Sequence, residues 1–409
     1  MKLDRIIIAV AVCAFVAAAV VGAVKWRRSA PPSTTPESVP GTVSLLVVGL
    51  EGLEPSVVDR MVAAGRLPNL SRLLKEGASA EFPSLGKGVD RRISWTSLVT
   101  GVPPERQGIG AQVASPRGGT VAAPLVPASR TVDTVWTLLS KAGVRVAVLG
   151  WPGTWPVEQV NGLMVGPYGS YVLERAHGGR TVDAVHPSEA YAAVDTLVRA
   201  PTEFGRRDLA RFVKEDSTLG LEALIGQNLE TLTNAMAEPV TMVALARHAV
   251  ADPGATAVFV YLGGVDLVSQ RFWHYANPES VLPALKDAKA RALFDEQVEA
   301  LSGTIDLYYE YVDEVLGELI GTATEGATVA VVTDHGYAGI ELDSSGNPMI
   351  GTSMHSARGF LILHGPGVAP GVRVTDAGFL DVAPTVMKAA GIEAPATVEG
   401  KVIPGMTRS

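Results

Sequence analysis

The stretch ATVAVVTDHG, residues 327–336, decides the fold class of this chain. Its apolar run has the length of a strand and stops at a carboxylate and an imidazole, Asp334 and His335. Such a run is typical of a parallel strand buried on both faces, and open α/β sheets bind ligands just past the carboxyl ends of their strands. The pair suits a divalent metal such as zinc, although a helix-capping Asp beside a hydrogen-bonded core histidine gives the same two letters.

Four further β-rich runs resemble this one, and helical patterns separate them. The runs cover residues 43–49, 145–150, 256–262 and 360–365. The helical patterns cover residues 55–65, 132–143, 220–250 and 283–320. This alternation predicts an α/β fold, with a mostly parallel central sheet and helices on both faces. Residues 151–250 contain few strand-like runs, so we interpret them as an insertion or cap over the active edge of the sheet.

The amino-terminal residues 1–28 predict a membrane anchor or a signal segment. Residues 6–24 are nineteen apolar or small residues with basic residues on both sides, which is long enough to cross a bilayer. An uncleaved anchor is the favoured interpretation, and a signal cleaved near residues 21–23 is the alternative. Residues 29–42, SAPPSTTPESVPGT, predict a flexible linker. The domain at 43–409 is then expected to be periplasmic or otherwise extracytoplasmic, or secreted after cleavage.

Composition narrows the function classes. The chain has 409 residues, 47% of them hydrophobic, and a formal net charge of −8 with no basic block in the soluble part. Nucleic-acid binding is therefore disfavoured. The one cysteine, Cys13, lies in the apolar amino-terminal segment, so the soluble part has neither an internal disulfide nor a cysteine nucleophile.

Polar side chains that can ligate metals follow several of the predicted strands. Glu51 follows the first strand, Asp266 follows the third, and His355 lies in a Gly/Ser-rich loop before the last. Each of them has a simpler interpretation as a cap or a surface residue. Together with Asp334 and His335, they are expected at one edge of one sheet, which predicts a metal site there.

Several segments, in this order and spacing, make the chain resemble the alkaline phosphatase superfamily, in particular its type I phosphodiesterase/nucleotide pyrophosphatase-like branch. The segments are VVGLEGLEPSVVDRMVAAGRLPNLSRLLKEGA (47–78), ISWTSLVTGVPPERQGI (93–109), GWPGTWPVEQVNGLMVG (150–166), YLGGVDLVSQRFWHY (261–275), VVTDHG (331–336), TSMHSARGFLILHGPGV (352–368) and LDVAPTVMKAAGI (380–392). The resemblance implies the superfamily's α/β fold over nearly all of the soluble part. It also implies phosphoester hydrolysis at two zinc ions, with a Thr or Ser hydroxyl attacking phosphorus.

Residue by residue, the resemblance implies two sets of metal ligands. Glu51, Asp334 and His335 would hold one ion. Asp266, Gln270 and His355 would hold the other, with Gln270 where the family has histidine. Because an amide oxygen is a poor zinc ligand, we expect either one ion or none here.

The position of the nucleophile departs furthest from the family pattern. Counting back from Trp95 and the Thr100-Gly101 pair, the hydroxyl residue falls at Arg91, and a guanidinium neither loses its proton nor ligates metal. Ser94 is the fallback nucleophile, and Ser84 is a further candidate. Glu51, where the family has Asp, and Gln107, where it has His, are lesser departures.

Three hypotheses follow from these departures. The first is a phosphoester hydrolase with weak, altered or absent turnover, using water or Ser94 at one good metal site. The second is a membrane-tethered pseudoenzyme in which Arg91 pairs with Glu51 or Asp334, and Arg91 and Arg92 bind a phosphoester, another anionic small molecule or a partner protein. The third is a tethered scaffold. Substrate and oligomeric state are not readable from the sequence.

Overall fold

A computed structural model describes residues 43–86, 88–110, 112–114, 120–122, 125–167, 182–251, 255–283, 285–337, 339 and 355–408. They lie in one compact unit, Val39–Ser409. The predicted membrane segment and linker, residues 1–42, lie outside the described residues, so both stay predictions. Among the described residues, no helix combines the length and the apolar character that crossing a bilayer requires.

The centre of the fold is a nine-stranded sheet in the order β13-β2-β12-β9-β1-β8-β5-β6-β7. Its strands are β1 Val43–Leu50, β2 Ala78–Pro83, β5 Arg145–Leu149, β6 Gly162–Val165, β7 Val185–His186, β8 Ala255–Leu262, β9 Ala323–Thr333, β12 Arg358–His364 and β13 Arg373–Val374. Two small pairs lie apart from it, β3 Gln112–Ala114 with β4 Thr120–Ala122, and β10 Gly336–Tyr337 with β11 His355–Ser356. The five strands from β9 to β6 run parallel, while β12 is antiparallel to both of its neighbours. The prediction of a mostly parallel sheet is confirmed.

Helices cover both faces of this sheet, as predicted. They are α1 Pro55–Ala63, α2 Pro68–Glu76, α3 Arg91–Thr100, α4 Pro104–Gln107, α5 Val135–Lys141, α6 Tyr191–Asp195, α7 Gly226–Ala251, α8 Gly264–Ala276, α9 Ala288–Leu301, α10 Thr304–Ile320 and α11 Val382–Ala389. Alternate residues of β1 enter different cores: Leu46 and Val48 pack with α1, α2, α7, α8 and α10, whereas Leu45 and Val47 pack with α3, α5 and α11. A strand buried on both sides must be apolar at every position, which explains why these strands read as unbroken apolar runs.

The predicted helical stretch 283–320 is two helices, α9 and α10, because the chain breaks at Ser302 and Gly303. Gly303 forms the amino-terminal cap of α10.

The segment 151–250, expected to be an insertion or cap, contributes β6 and β7 to one end of the sheet. Short 3₁₀ helices and α7 make up most of the rest of its described part. Residues 168–181 lie outside the described residues. The cap itself stays a prediction.

The strand order places three predicted site segments side by side. Val48 of β1 is in register with Val260 of β8 on one side and with Val331 of β9 on the other. The carboxyl ends of these neighbouring strands therefore open onto the same edge, where parallel α/β sheets bind their ligands.

Candidate functional site

Backbone hydrogen bonds fix the end of β1 against the start of α8. The Glu51 amide donates to the Leu262 carbonyl at 3.0 Å, and the Asp266 amide donates to the Glu51 carbonyl at 3.0 Å. Gly52 makes this close approach possible: its φ is +77°, and a Cβ there would lie 2.7 Å from the Asp266 Cα. Two predicted ligands from distant parts of the chain are thus held together by main chain.

Glu51, Asp334 and His335 form the first group of potential metal ligands, and all three are buried. The His335 Nε2 atom lies 3.6 Å from Asp334 Oδ1 and 4.0 Å from Glu51 Oε1. These are the three residues that the resemblance implies for one metal.

Asp266, His335 and His355 form the second group. The His355 Nε2 atom lies 3.6 Å from Asp266 Oδ1, and the two imidazole rings stack with centroids 3.6 Å apart and planes 12° from parallel. In each group one ligand atom per residue lies within 4.8 Å of the others. The structure thus includes His335 in both groups and leaves Gln270 out of the second.

The ring orientation of His335 is set by the Gly336 carbonyl, 3.0 Å from Nδ1. A carbonyl oxygen only accepts, so Nδ1 carries a hydrogen and Nε2 is the nitrogen available to a metal. Histidine ligands commonly donate their second ring N–H to a carbonyl or carboxylate in this way. Burial opposes protonation of His335, but the nearby Asp334 and Asp266 carboxylates together raise its pKa.

The buried carboxylates are electrostatically costly without a cation. Burial raises the pKa of Asp266 to about 7 and that of Asp334 to about 6, and the Glu51 charge raises both further. Within the described part of the chain, three buried atoms have no hydrogen-bond partner: Asp266 Oδ1, Asp334 Oδ1 and His355 Nε2. Unpartnered buried polar atoms are rare, and a metal ion would satisfy all three. Two imidazoles and two carboxylates form a donor set that zinc accepts.

Ser94 lies beside this cluster. Its hydroxyl donates to Asp334 Oδ2 at 2.8 Å, and only 6% of the residue is exposed. It lies on α3, one helical turn after Arg91. The fallback hydroxyl of the sequence analysis therefore contacts the Asp-His pair directly.

Arg91, the first residue of α3, is at the rim of the cluster. Its Nη1 lies 3.4 Å from Glu51 Oε2, and 60% of its side chain is exposed. The Tyr261 hydroxyl also donates to Glu51 Oε2 in a short hydrogen bond. The guanidinium thus pairs with Glu51, and Asp334 is left to Ser94.

Two further predicted residues are engaged by neighbours one turn or less away. Arg92 donates from Nε and Nη2 to both carboxylate oxygens of Asp90, at 2.9 and 2.7 Å, while the Asp90 carboxylate also caps α3. Gln270 donates from Nε2 to Asp266 Oδ2 at 2.5 Å.

All of the predicted site residues except Arg92 line one cavity of about 180 Å³, which Ser84 also lines. A larger cavity of about 700 Å³ shares Glu51, Arg91, Asp266 and Gln270 with it and is also lined by Arg92. Polar and aromatic side chains of the segment 151–250, Trp155, Asn234 and Glu238, line the larger cavity.

Sequence reasoning missed Tyr261 and Glu238. Tyr261 is the one polar tip in the apolar run of β8, next to its last residue, and that position was the available signal. Glu238 is an acid beside Pro239 within an otherwise apolar part of α7. It accepts a hydrogen bond from the Gly263 amide at 2.9 Å, and burial raises its pKa to about 7.

Comparison with known proteins identifies relatives over most of the domain. The profile of the type I phosphodiesterase / nucleotide pyrophosphatase family matches residues 45–377. A 2,3-bisphosphoglycerate-independent phosphoglycerate mutase of Synechocystis sp. is 31% identical over 137 residues, which are 32% of this chain and 23% of that protein. A choline-sulfatase of Rhizobium meliloti is 37% identical over 91 residues, 20% of this chain and 17% of that protein. The matched segments thus span less than a quarter of either curated relative.

Solved structures of similar fold include phosphonoacetate hydrolase from Sinorhizobium meliloti, with TM-score 0.38 and 20% identity over 75% of this chain and 59% of that one. Murine ectonucleotide pyrophosphatase/phosphodiesterase 5 has TM-score 0.44 and 9% identity over 86% of this chain and 96% of that one. The family match covers well over half of the chain. The chain therefore belongs to the type I phosphodiesterase/nucleotide pyrophosphatase family, within the alkaline phosphatase superfamily.

Proposed function

We propose that this protein is a metal-dependent phosphoester hydrolase with a rearranged site and weak or altered turnover. The observation that carries the proposal is the convergence of three partnerless buried atoms, on Asp266, Asp334 and His355, around His335. Such a cluster is costly when left without a cation and is satisfied when one binds.

Asp266, His335, His355 and Asp334 are the residues that would hold the ion. A bound divalent ion would supply Lewis-acid stabilisation of the phosphoryl oxygens and lower the pKa of a neighbouring hydroxyl. The Gly336 carbonyl and the Gln270 amide fix the orientation of two of these ligands.

Ser94 is the nucleophile that the geometry favours. Its Oγ would attack phosphorus while its proton passes to Asp334 Oδ2, which already accepts its hydrogen bond. The bond from phosphorus to the ester oxygen breaks, the leaving oxygen takes a proton from solvent, and water later hydrolyses the phosphoserine. Water in the 180 Å³ cavity is the alternative nucleophile.

Arg91 and Arg92 give the larger cavity positive charge next to the metal cluster, which favours an anionic substrate. The 700 Å³ volume accommodates an organic group on the ester. A phosphodiester or phosphomonoester with a sizeable alcohol group is therefore the proposed substrate class.

The test is turnover of bis(p-nitrophenyl) phosphate and p-nitrophenyl phosphate by the zinc-loaded full chain. We expect metal-dependent hydrolysis that falls at least about 1,000-fold in Ser94→Ala, because removing a nucleophile costs several powers of ten in rate. The matched control is Ser97→Ala, one turn further along α3. Ser97 is buried and donates to Gln107 Oε1, so it does not contact the cluster.

Two results would count against the proposed role of Ser94. If Ser94→Ala and Ser97→Ala keep equal rates, Ser94 is not the nucleophile and water takes its place. If the wild type shows no metal-dependent turnover of either ester, the hydrolase proposal is wrong.

A pseudoenzyme is the second candidate function, and a specific observation favours it. The residue at the family's nucleophile position, Arg91, pairs with Glu51, and the residue at a family histidine position, Gln270, pairs with Asp266. Side chains that replace nucleophile and ligand thus occupy carboxylates that would otherwise serve the chemistry. Binding of inorganic phosphate by the zinc-loaded chain, together with no turnover in the test above, would support this candidate.

A further inference from the structure

His335 belongs to both groups of potential ligands, and this sharing limits how many ions the site can hold. Its Nδ1 is engaged by the Gly336 carbonyl, so only Nε2 faces the carboxylates. A single imidazole nitrogen has one lone pair and binds one metal ion. The two groups are therefore alternatives and cannot both be filled with all three of their members.

The second group has the more available ligand atoms. Asp266 Oδ1 and His355 Nε2 are buried and have no hydrogen-bond partner in the described part of the chain. Glu51, in the first group, differs: its Oε2 accepts from Tyr261 and faces the Arg91 guanidinium. Glu51 thus already has a cation, whereas Asp266 has none.

We propose that the site takes one divalent ion, ligated by Asp266, His335 and His355, and that the Arg91 guanidinium replaces the second ion of the family. This inference rests on the proposed metal-dependent function. Asp334 Oδ1, 3.6 Å from His335 Nε2 and also without a hydrogen-bond partner in the described residues, supplies the fourth ligand. Two imidazoles and two carboxylate oxygens complete a four-coordinate set.

Charge balance agrees with this assignment. Three buried acids, Glu51, Asp266 and Asp334, surround the cluster. One dication and one guanidinium neutralise three carboxylates, whereas two dications in addition to the guanidinium leave a surplus of positive charge in a buried site. Opposite charges held at short range in a buried place are stabilised far more than exposed ones.

The position of Arg91 also suits it to an anionic substrate. It lines both cavities, and more than half of its side chain is exposed, so its remaining donors face the open volume. A guanidinium presents five donors in a planar fork and binds phosphate oxygens in pairs. Arg91 is therefore assigned as a substrate-binding residue that holds phosphoryl oxygens where the family uses metal.

The first experiment counts zinc. The full chain is stripped with chelator, saturated with Zn²⁺, separated from free metal and assayed by elemental analysis. We expect one zinc per chain. Two per chain would overturn this inference but leave the metal-dependent function standing, and none would overturn both.

The second experiment measures the affinity of inorganic phosphate for the zinc-loaded chain by calorimetry. We expect Arg91→Ala to weaken binding at least about tenfold, because a charge-assisted pair of hydrogen bonds is lost. The matched control is Arg106→Ala, an arginine of similar exposure that pairs with Glu399. We expect it to change the affinity less than twofold.

Retention of zinc by Arg91→Ala shows that the variant is folded around an intact ligand set. Arg91→Lys keeps the charge without the fork and is expected to fall between the wild type and Arg91→Ala. Equal phosphate affinities in Arg91→Ala and Arg106→Ala would overturn the role given to Arg91.

Discussion

At the scale of single residues, the site depends on which side chain contacts which carboxylate. Arg91 and Ser94 lie one turn apart on α3, yet Arg91 contacts Glu51 and Ser94 contacts Asp334. The sequence predicted both residues and could not assign their partners, because a pairing across the sheet edge depends on rotamers that the sequence does not specify. The arginine at the nucleophile position therefore does not exclude a hydroxyl beside the Asp-His pair.

His274, on α8 away from the metal cluster, carries a prediction about pH. It is buried, with its ring packed on Tyr275 and Phe294, and burial together with the Arg271 charge lowers its pKa to about 4. The unfolded chain binds a proton at this histidine near its usual pKa of about 6.5, whereas the folded chain does not. As the pH falls from about 6.5 to about 4, His274 should therefore reduce the free energy of unfolding by roughly 3 kcal/mol.

The check is urea unfolding of the wild type and His274→Phe between pH 7.5 and pH 4.5. Phenylalanine keeps the ring packing and removes the titration, so the stability of His274→Phe should decline less with acid. Parallel pH curves for the two proteins would contradict the assignment.

At the scale of elements, the prominent strands were predictable and their exact limits less so. Residues 327–333 were expected as a strand, and β9 begins earlier, at Ala323, because its first residues are partly exposed and polar and give no apolar signal. The strand β2 was missed because its sequence ASAEFP is short and rich in small residues. Glycine at position 303 ends one helical stretch and starts another without interrupting the apolar periodicity, so two helices read as one.

Gly52 carries a prediction about the turn between β1 and α1. Gly52→Ala combines a left-handed backbone with a Cβ that would lie 2.7 Å from the Asp266 Cα. We expect a loss of at least about 2 kcal/mol in the free energy of unfolding, and a displaced Asp266 that binds zinc at least about tenfold more weakly.

The matched control for this change is Gly65→Ala. Gly65 has a similar φ of +73°, but nothing lies within 4 Å of its added Cβ. It should lose only about 1 kcal/mol and keep its zinc affinity. Equal effects of the two changes on zinc affinity would show that the close approach of Gly52 to Asp266 does not position the ligand.

At the scale of the whole molecule, the strand ends explain why the ligand positions were predictable. Parallel strands buried between two cores have to be apolar, so each polar residue just after a strand stands out in the sequence and falls at the same edge. Tyr261 and Glu238 escaped this reasoning because each lies inside an apolar element and reaches the site only through tertiary packing. The segment 151–250 supplies much of the wall of the larger cavity, and its sequence contains no motif that names a substrate.

The most direct test of the metal assignment is X-ray absorption at the zinc edge of the zinc-loaded chain. The account predicts a four-coordinate shell of nitrogen and oxygen at about 2.0–2.2 Å with the scattering pattern of two imidazoles. In His355→Ala the pattern should fall to one imidazole. A shell without imidazole in the wild type, or an unchanged shell in His355→Ala, would contradict the account.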